Sequence, residues 1–235
     1  MDAIWHFHHE TWDEPWSSDD FPAGESEKET DQRLRYLSSK PWWKNTKNEV
    51  VQFLHKELTS QWPWGYTIYR TIYTPESDQH WDAFLDAISK NTYAGLGSDL
   101  HDNEPSRIFK EGYRPLVFDE PAQFNGATLD EIRKHFRAFR DGDTNGNQEV
   151  RFRWCLVIDE GALQSFIRHS SWVTVVDPNY RGGSSYNTQY YPGYLRLYLS
   201  DLWSLTRIGR ALGLDDVCGT MKGPDDVAWF DSDMY

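Results

Sequence analysis

Trp64-Gly65-Tyr66-Thr67-Ile68-Tyr69-Arg70-Thr71-Ile72-Tyr73 is the stretch on which the fold turns. It is crowded with aromatic and β-branched residues, which favour a pleated, half-buried surface. Trp81, Phe84, Leu85 and Ile88 follow at helical spacing. A strand feeding an amphipathic helix is therefore the predicted nucleus of the fold.

Other elements extend outward from this pair. Upstream, Thr46 and Glu49 have capping-box spacing before Val50, Val51, Leu54 and Leu58, and Trp62-Pro63 closes that helix. Downstream, Leu116-Val117-Phe118 is a short strand. Thr128 and Glu131 open a helix with Ile132, Phe136 and Phe139 inward. Arg133, Lys134, Arg137 and Arg140 then make up a solvated exterior. Phe152 to Ile158 is the second strong strand, and Asp159 is suited to cap a helix through Leu163, Phe166 and Ile167. Trp172–Val176 and Tyr194–Leu199 complete five strands, and a helix over Leu202–Leu212 follows. Interleaved strands and helices predict an α+β fold: a mainly antiparallel five-stranded sheet with helices on one side, in a ferredoxin-like sandwich.

Charge divides the chain. Of the net −13, residues 1–33 carry −8 and residues 215–235 carry −5, so residues 34–214 are neutral. The predicted organisation is an acidic flexible leader over 1–33, a single domain over 34–214 and an acidic tail over 215–235. The acidic ends either stay solvated or dock, through aromatics such as Trp5, Trp12, Trp16 and Trp229-Phe230, on the body or on a partner. Hydrophobic content is only 38%, but 12 Trp, 13 Tyr and 12 Phe supply the apolar area for a core. Two cysteines, Cys155 and Cys218, are too few for a disulfide framework. No run has the length of a membrane span, and Met1 to His6 lacks the pattern of a secretory signal, so the expected compartment is the cytosol.

The Trp64-Gly65-Tyr66 and Tyr69-Arg70-Thr71 segments, the Trp81 helix, Phe124-Asn125-Gly126-Ala127-Thr128 and the Cys155–Glu160 strand end together resemble a large family of filamentous-fungal cytosolic proteins. The resemblance covers roughly residues 60–200. It implies a fungal origin and a shared scaffold, and it carries no catalytic residues onto this chain.

Motifs for common chemistry are few. Asp141-Gly142-Asp143-Thr144-Asn145-Gly146 matches the opening of a calcium-binding loop, but Gln148 and Phe152 occupy the positions of its apolar residue and its closing Glu. A polar turn is the expected reading. His6, His8 and His9 form a short cluster with adventitious metal affinity only. There is no Gly-x-Ser-x-Gly elbow, no phosphate-cradling loop and no Gly-x-Gly-x-x-Gly after a strand. No metal or nucleotide cofactor is expected. Nucleic acid is disfavoured because the neutral body and acidic ends lack the electrostatic attraction that drives such binding.

Strand alternation supplies the candidate site. Tyr69, Thr71 and Tyr73 share one face of the first strand. Arg151, Arg153 and Cys155 share one face of the third, and Tyr194, Arg196 and Tyr198 one face of the last. If these faces lie together, Arg153, Arg196, Tyr198, Tyr194, Tyr69 and Tyr73 line a surface of guanidinium and phenol groups suited to an anionic or aromatic ligand. An ordinary solvated sheet face has the same pattern. Arg70, flanked by isoleucines, needs a carboxylate partner if it is buried. The expected function is binding of a small molecule or peptide. The alternatives are a cofactor-free cyclase or isomerase, or a protein-interaction module acting through the acidic aromatic ends.

Overall fold

The computed structural model describes residues 27–57, 64–97, 103–142, 153–182, 191–208, 213–217 and 226–228. Six strands form one sheet: β1 (Thr67–Arg70), β2 (Leu116–Phe118), β3 (Cys155–Ile158), β4 (Trp172–Val176), β5 (Tyr194–Tyr198) and β6 (Val227–Ala228). Their order is β2-β1-β3-β4-β5-β6. β1 pairs in parallel with both β2 and β3, and β5 in parallel with β6. β4 is antiparallel to β3 and to β5.

The expectation of a mainly antiparallel, ferredoxin-like sheet covered on one side is therefore corrected. The sheet is mixed and mostly parallel, the fold is α/β, and helices cover both faces. Parallel neighbours require helical crossovers, and strands buried on two sides read as continuous apolar runs. β1, β2 and β3 are buried at every position.

On one face lie α2 (Glu49–Glu57), α3 (Pro75–Ala94) and α4 (Glu104–Glu111), with α7 (Glu160–Ile167) and α8 (Leu202–Ile208). Their Phe53, Trp81, Phe84, Ile88, Phe109, Leu163 and Trp203 pack on Ile68, Val117, Leu156, Ile158, Val173 and Leu197. On the other face, α5 (Pro121–Phe124) and α6 (Leu129–Gly142) bring Phe124, Ile132 and Phe136 onto Tyr69, Phe118, Val157 and Val176. Two short ends complete the described chain. α1 (Glu27–Ser38) begins inside the acidic leader, and α9 (Leu214–Val217) and β6 reach into the acidic tail, where Ala228 is fully buried.

Local signals explain several boundaries. Thr74 and Ser77 form a capping box at the start of α3, behind Pro75. Thr128 and Glu131 do the same for α6, with Thr128 N–H donating to Glu131 Oε2 at 2.8 Å. Asp159 caps α7 through the Ala162 amide at 2.8 Å. At α2 the cap is Asn48, which accepts from the Val51 amide at 3.0 Å, and not Thr46. β3 starts at Cys155, three residues later than the apolar pattern predicts. Gly65 leads into β1 where a Cβ would stand 2.4 Å from the Arg114 carbonyl oxygen, so only glycine fits beside that backbone.

The basic face of α6 also departs from expectation. Arg133 is buried: its Nε donates to the Asp177 carbonyl (3.2 Å), and Nη2 to those of Pro192 (3.3 Å) and Gly193 (2.9 Å). Arg137 donates to the Pro178 carbonyl at 2.9 Å and Arg140 to Asn179 Oδ1 at 3.1 Å. These guanidinium groups hold the two ends of the β4–β5 connection and are not a solvated exterior.

Candidate functional site

All three strands of the parallel half, β2-β1-β3, point their carboxyl ends at one rim. From β1 the chain crosses to β2 on one side and then returns to β3 on the other. Such a reversal opens a crevice between the central strand and its second neighbour, where ligands of open α/β sheets bind.

β1 ends at Arg70, whose side chain is only 7% exposed. Nε donates to the Ile72 carbonyl at 2.9 Å and Nη2 to Ser77 Oγ at 2.9 Å. Nη2 also pairs with Asp78, and Nη1 lies 3.4 Å from Asp119 Oδ2. The rings of Tyr73 and Trp81 each stand 4.7 Å from the guanidinium carbon. A planar cation suits this setting, because its edge bonds carboxylates while its faces meet aromatic rings.

The other two strands each end in Asp-Glu. Asp119-Glu120 follows β2 and Asp159-Glu160 follows β3, and both dipeptides lead into helices. Glu76 and Asp78 begin α3 at the same rim, where Gln164 of α7 donates to Glu76 Oε2 at 2.9 Å. Six carboxylates thus stand just beyond the carboxyl ends of the parallel strands, and two of them, Asp78 and Asp119, pair with the buried Arg70 guanidinium. Asp78, Asp119, Glu76 and Glu160 are exposed, and Glu120 and Asp159 are half-buried.

Phenols and an imidazole complete the rim. Tyr73 donates from its hydroxyl to the Arg70 carbonyl at 3.1 Å. Its pKa is raised, first by burial and then by the Asp119 carboxylate. Tyr69, on the opposite face, has its hydroxyl 2.8 Å from His135 Nδ1 and its ring stacked on Phe118. Burial raises the Tyr69 pKa, with further contributions from Cys155 and Glu120. His135 sits edge-on to Phe118 and Phe124, and burial lowers its pKa.

That shift predicts acid sensitivity. The folded imidazole takes up its proton at a lower pH than the ordinary value of 6.5, so the unfolded chain binds it first. The His135 contribution is complete above about 6.5 and is lost as the pH falls through the folded value. Urea midpoints should drop between pH 7 and pH 5, and His135→Gln should flatten that slope. An unchanged slope in the variant would assign the acid sensitivity elsewhere.

The residues expected to form one surface occupy three places. Tyr69 and Tyr73 come together at the carboxyl end of β1, Tyr69 in the core and Tyr73 at the rim. Tyr194, Arg196 and Tyr198 alternate along one face of β5, where the Arg196 guanidinium lies 4.7 Å from the Trp172 ring and Tyr198 is exposed. Arg153 precedes β3, at the end away from the rim, with its guanidinium 5.3 Å from the Trp154 ring. The register sets Arg196 level with Val157, four residues further along β3 than Arg153 and two strands across.

Asp78, Asp119, Glu120 and His135 were not singled out from the sequence as site residues, and Asp159 was read only as a helix cap. The signal that could have found them is the twice-repeated pattern of an apolar strand ending in Asp-Glu before a helix. The calcium-loop match lies outside the described residues except for Asp141 and Gly142, and so do His6, His8 and His9. Among the described residues no three His, Cys, Asp or Glu side chains are grouped to hold a metal ion, and no helix is long and apolar enough to cross a membrane. No protein-family model matches this chain, and no curated protein or solved structure is significantly similar to it.

Proposed function

We propose that this chain is a cytosolic small-molecule- or peptide-binding α/β domain that takes a cationic ligand at the carboxyl rim of β2-β1-β3. No metal or nucleotide cofactor is part of this reading. One observation supports it: where the sheet topology reverses, the carboxyl ends of all three strands are followed by acidic residues, two of which hold the Arg70 guanidinium while Glu76 and Glu160 are exposed. The remaining carboxylates set a negative field in a crevice, which concentrates amines and guanidinium groups. Tyr73 adds an aromatic face against which such a cation can stack. Kinship with the filamentous-fungal family belongs to the same proposal.

Calorimetric titration with a short diamine and with lysine- and arginine-containing tripeptides tests the reading. Saturable binding that weakens with salt is expected. Glu76→Gln combined with Glu160→Gln, both at exposed positions, should reduce affinity about tenfold, while Arg196→Ala leaves it unchanged. Binding that survives the first pair but disappears with Arg196→Ala would move the site to β5. Absence of binding to every cationic probe would end the proposal.

A further inference from the structure

A second surface lies away from the rim, where α1 meets the 3-10 turn Pro41–Lys44. From Leu34 to Asn48 the chain carries Arg35, Lys40, Lys44 and Lys47 and no acidic residue. The structure makes this stretch one aromatic and basic patch. Lys40 Nζ lies 4.2 Å from the Tyr36 ring centroid and 3.1 Å from Glu104, which also accepts from the Trp42 indole at 2.7 Å. The Trp42 and Trp43 rings are 5.7 Å apart, and the Trp43 ring lies 3.9 Å from that of His55, tilted by 34°. Tyr36 is 43% exposed, the two tryptophans are half-buried, and Arg35, Lys44 and Lys47 are exposed. Glu104 is neutralised by Lys40, so the patch stays positive in a protein of net charge −13.

The complement is in the same chain. Residues 1–26, outside the described residues, hold Asp2, Glu10, Asp13, Glu14, Asp19, Asp20 and Glu25 with no Lys or Arg, and among them Trp5, Phe7, Trp12, Trp16 and Phe21. We infer that the Arg35–Lys47 surface is the intramolecular docking site for the acidic, tryptophan-bearing segment from Trp12 to Phe21. Reach allows it. α1 has twelve residues and is about 18 Å long, and Trp16 stands eleven residues before Glu27, a span of up to about 36 Å. Covalent linkage also holds the segment at millimolar effective concentration, so modest contacts suffice. Desolvated tryptophan on tryptophan, ringed by opposite charges, is the arrangement that anchors peptide interfaces. This inference is independent of the rim.

The full-length chain tests it. Chymotrypsin cuts after Trp and Phe, and cleavage between residues 5 and 21, followed by mass spectrometry, reports whether those bonds are covered. Slow cleavage at low salt is expected, faster by about tenfold at high salt and in the Lys44→Glu, Lys47→Glu variant. Both lysines are exposed, so the substitutions leave the packed core intact, and stability should fall only by the lost docking, about 1.4 kcal/mol for a tenfold change. Adding Asp13→Lys and Glu14→Lys to that variant should restore slow cleavage. Equal cleavage rates in the wild-type and reversed chains, or failure of the second reversal to rescue, overturns the inference. Protection that increases with protein concentration would place the segment on a second copy, and overturns it as well.

Discussion

Replacing Arg70 with methionine is expected to cost about 3–4 kcal/mol of folding stability, read from urea unfolding at neutral pH, chiefly through the lost hydrogen bonds of a buried guanidinium. Arg70 is held by a backbone carbonyl, a serine hydroxyl, two carboxylates and two ring faces. Methionine replaces part of the volume but removes a charged donor from the Ile72 carbonyl and the Ser77 hydroxyl, and it withdraws the guanidinium that pairs with Asp78 and Asp119. Lysine is not a remedy: an ammonium lacks the flat face for Tyr73 and Trp81, so Arg70→Lys should recover less than half of the loss. A variant as stable as wild type would mean that the rim is organised by something other than this cation.

Arg133→Met should come next, at about 3–4 kcal/mol by the same measurement. Here the partners are the carbonyls of Asp177, Pro192 and Gly193, with Asp130 Oδ1 at 2.5 Å as the counter-ion. The Gly193 carbonyl keeps the Asp177 amide as a donor, but the Asp177 and Pro192 carbonyls lose a charged one, and losses of this size have few other origins. Lys134→Ala, one position along and exposed, serves as the control and should stay within about 0.5 kcal/mol of wild type. If the two variants behave alike, α6 does not fasten the β4–β5 connection.

These two arginines also show what a one-dimensional reading captures. Patterning located the strand at Trp64–Tyr73, the α3 and α6 helices and the capping residues at Thr128 and Asp159, because caps and periodicity are local. Orientation of the strands is not local. β5 alternates between buried and half-exposed, as an antiparallel strand with one wet face would, and the expectation for the whole sheet followed that pattern. β1 and β3 obey the other rule, since α6 lies across the face that alternation assigned to solvent. The same helix explains the error over Arg133: heptad position placed it outward, but the β4–β5 connection folds over that side.

The rim was invisible for a related reason. Asp78, Asp119 and Asp159 are separated by about forty residues each and fall at the same end of the sheet only because three strands run in the same direction. Arg70 was recognisable as a buried cation in need of a carboxylate, but its two acids could not be named without the topology. Tyr69 and Tyr73 were selected for sharing a face with distant arginines, whereas their actual partners are His135 and the Asp119 neighbourhood.

The placement of Val227-Ala228 beside Arg196-Leu197 has a consequence for biosynthesis. At ribosomal speeds of about 5–20 residues per second, some 2–6 s separate the emergence of β5 from that of the pair that flanks it. Throughout that interval the nascent sheet presents an unshielded row of amides and carbonyls, a template for any other extended chain nearby. Its last seam is stitched only when residue 228 arrives.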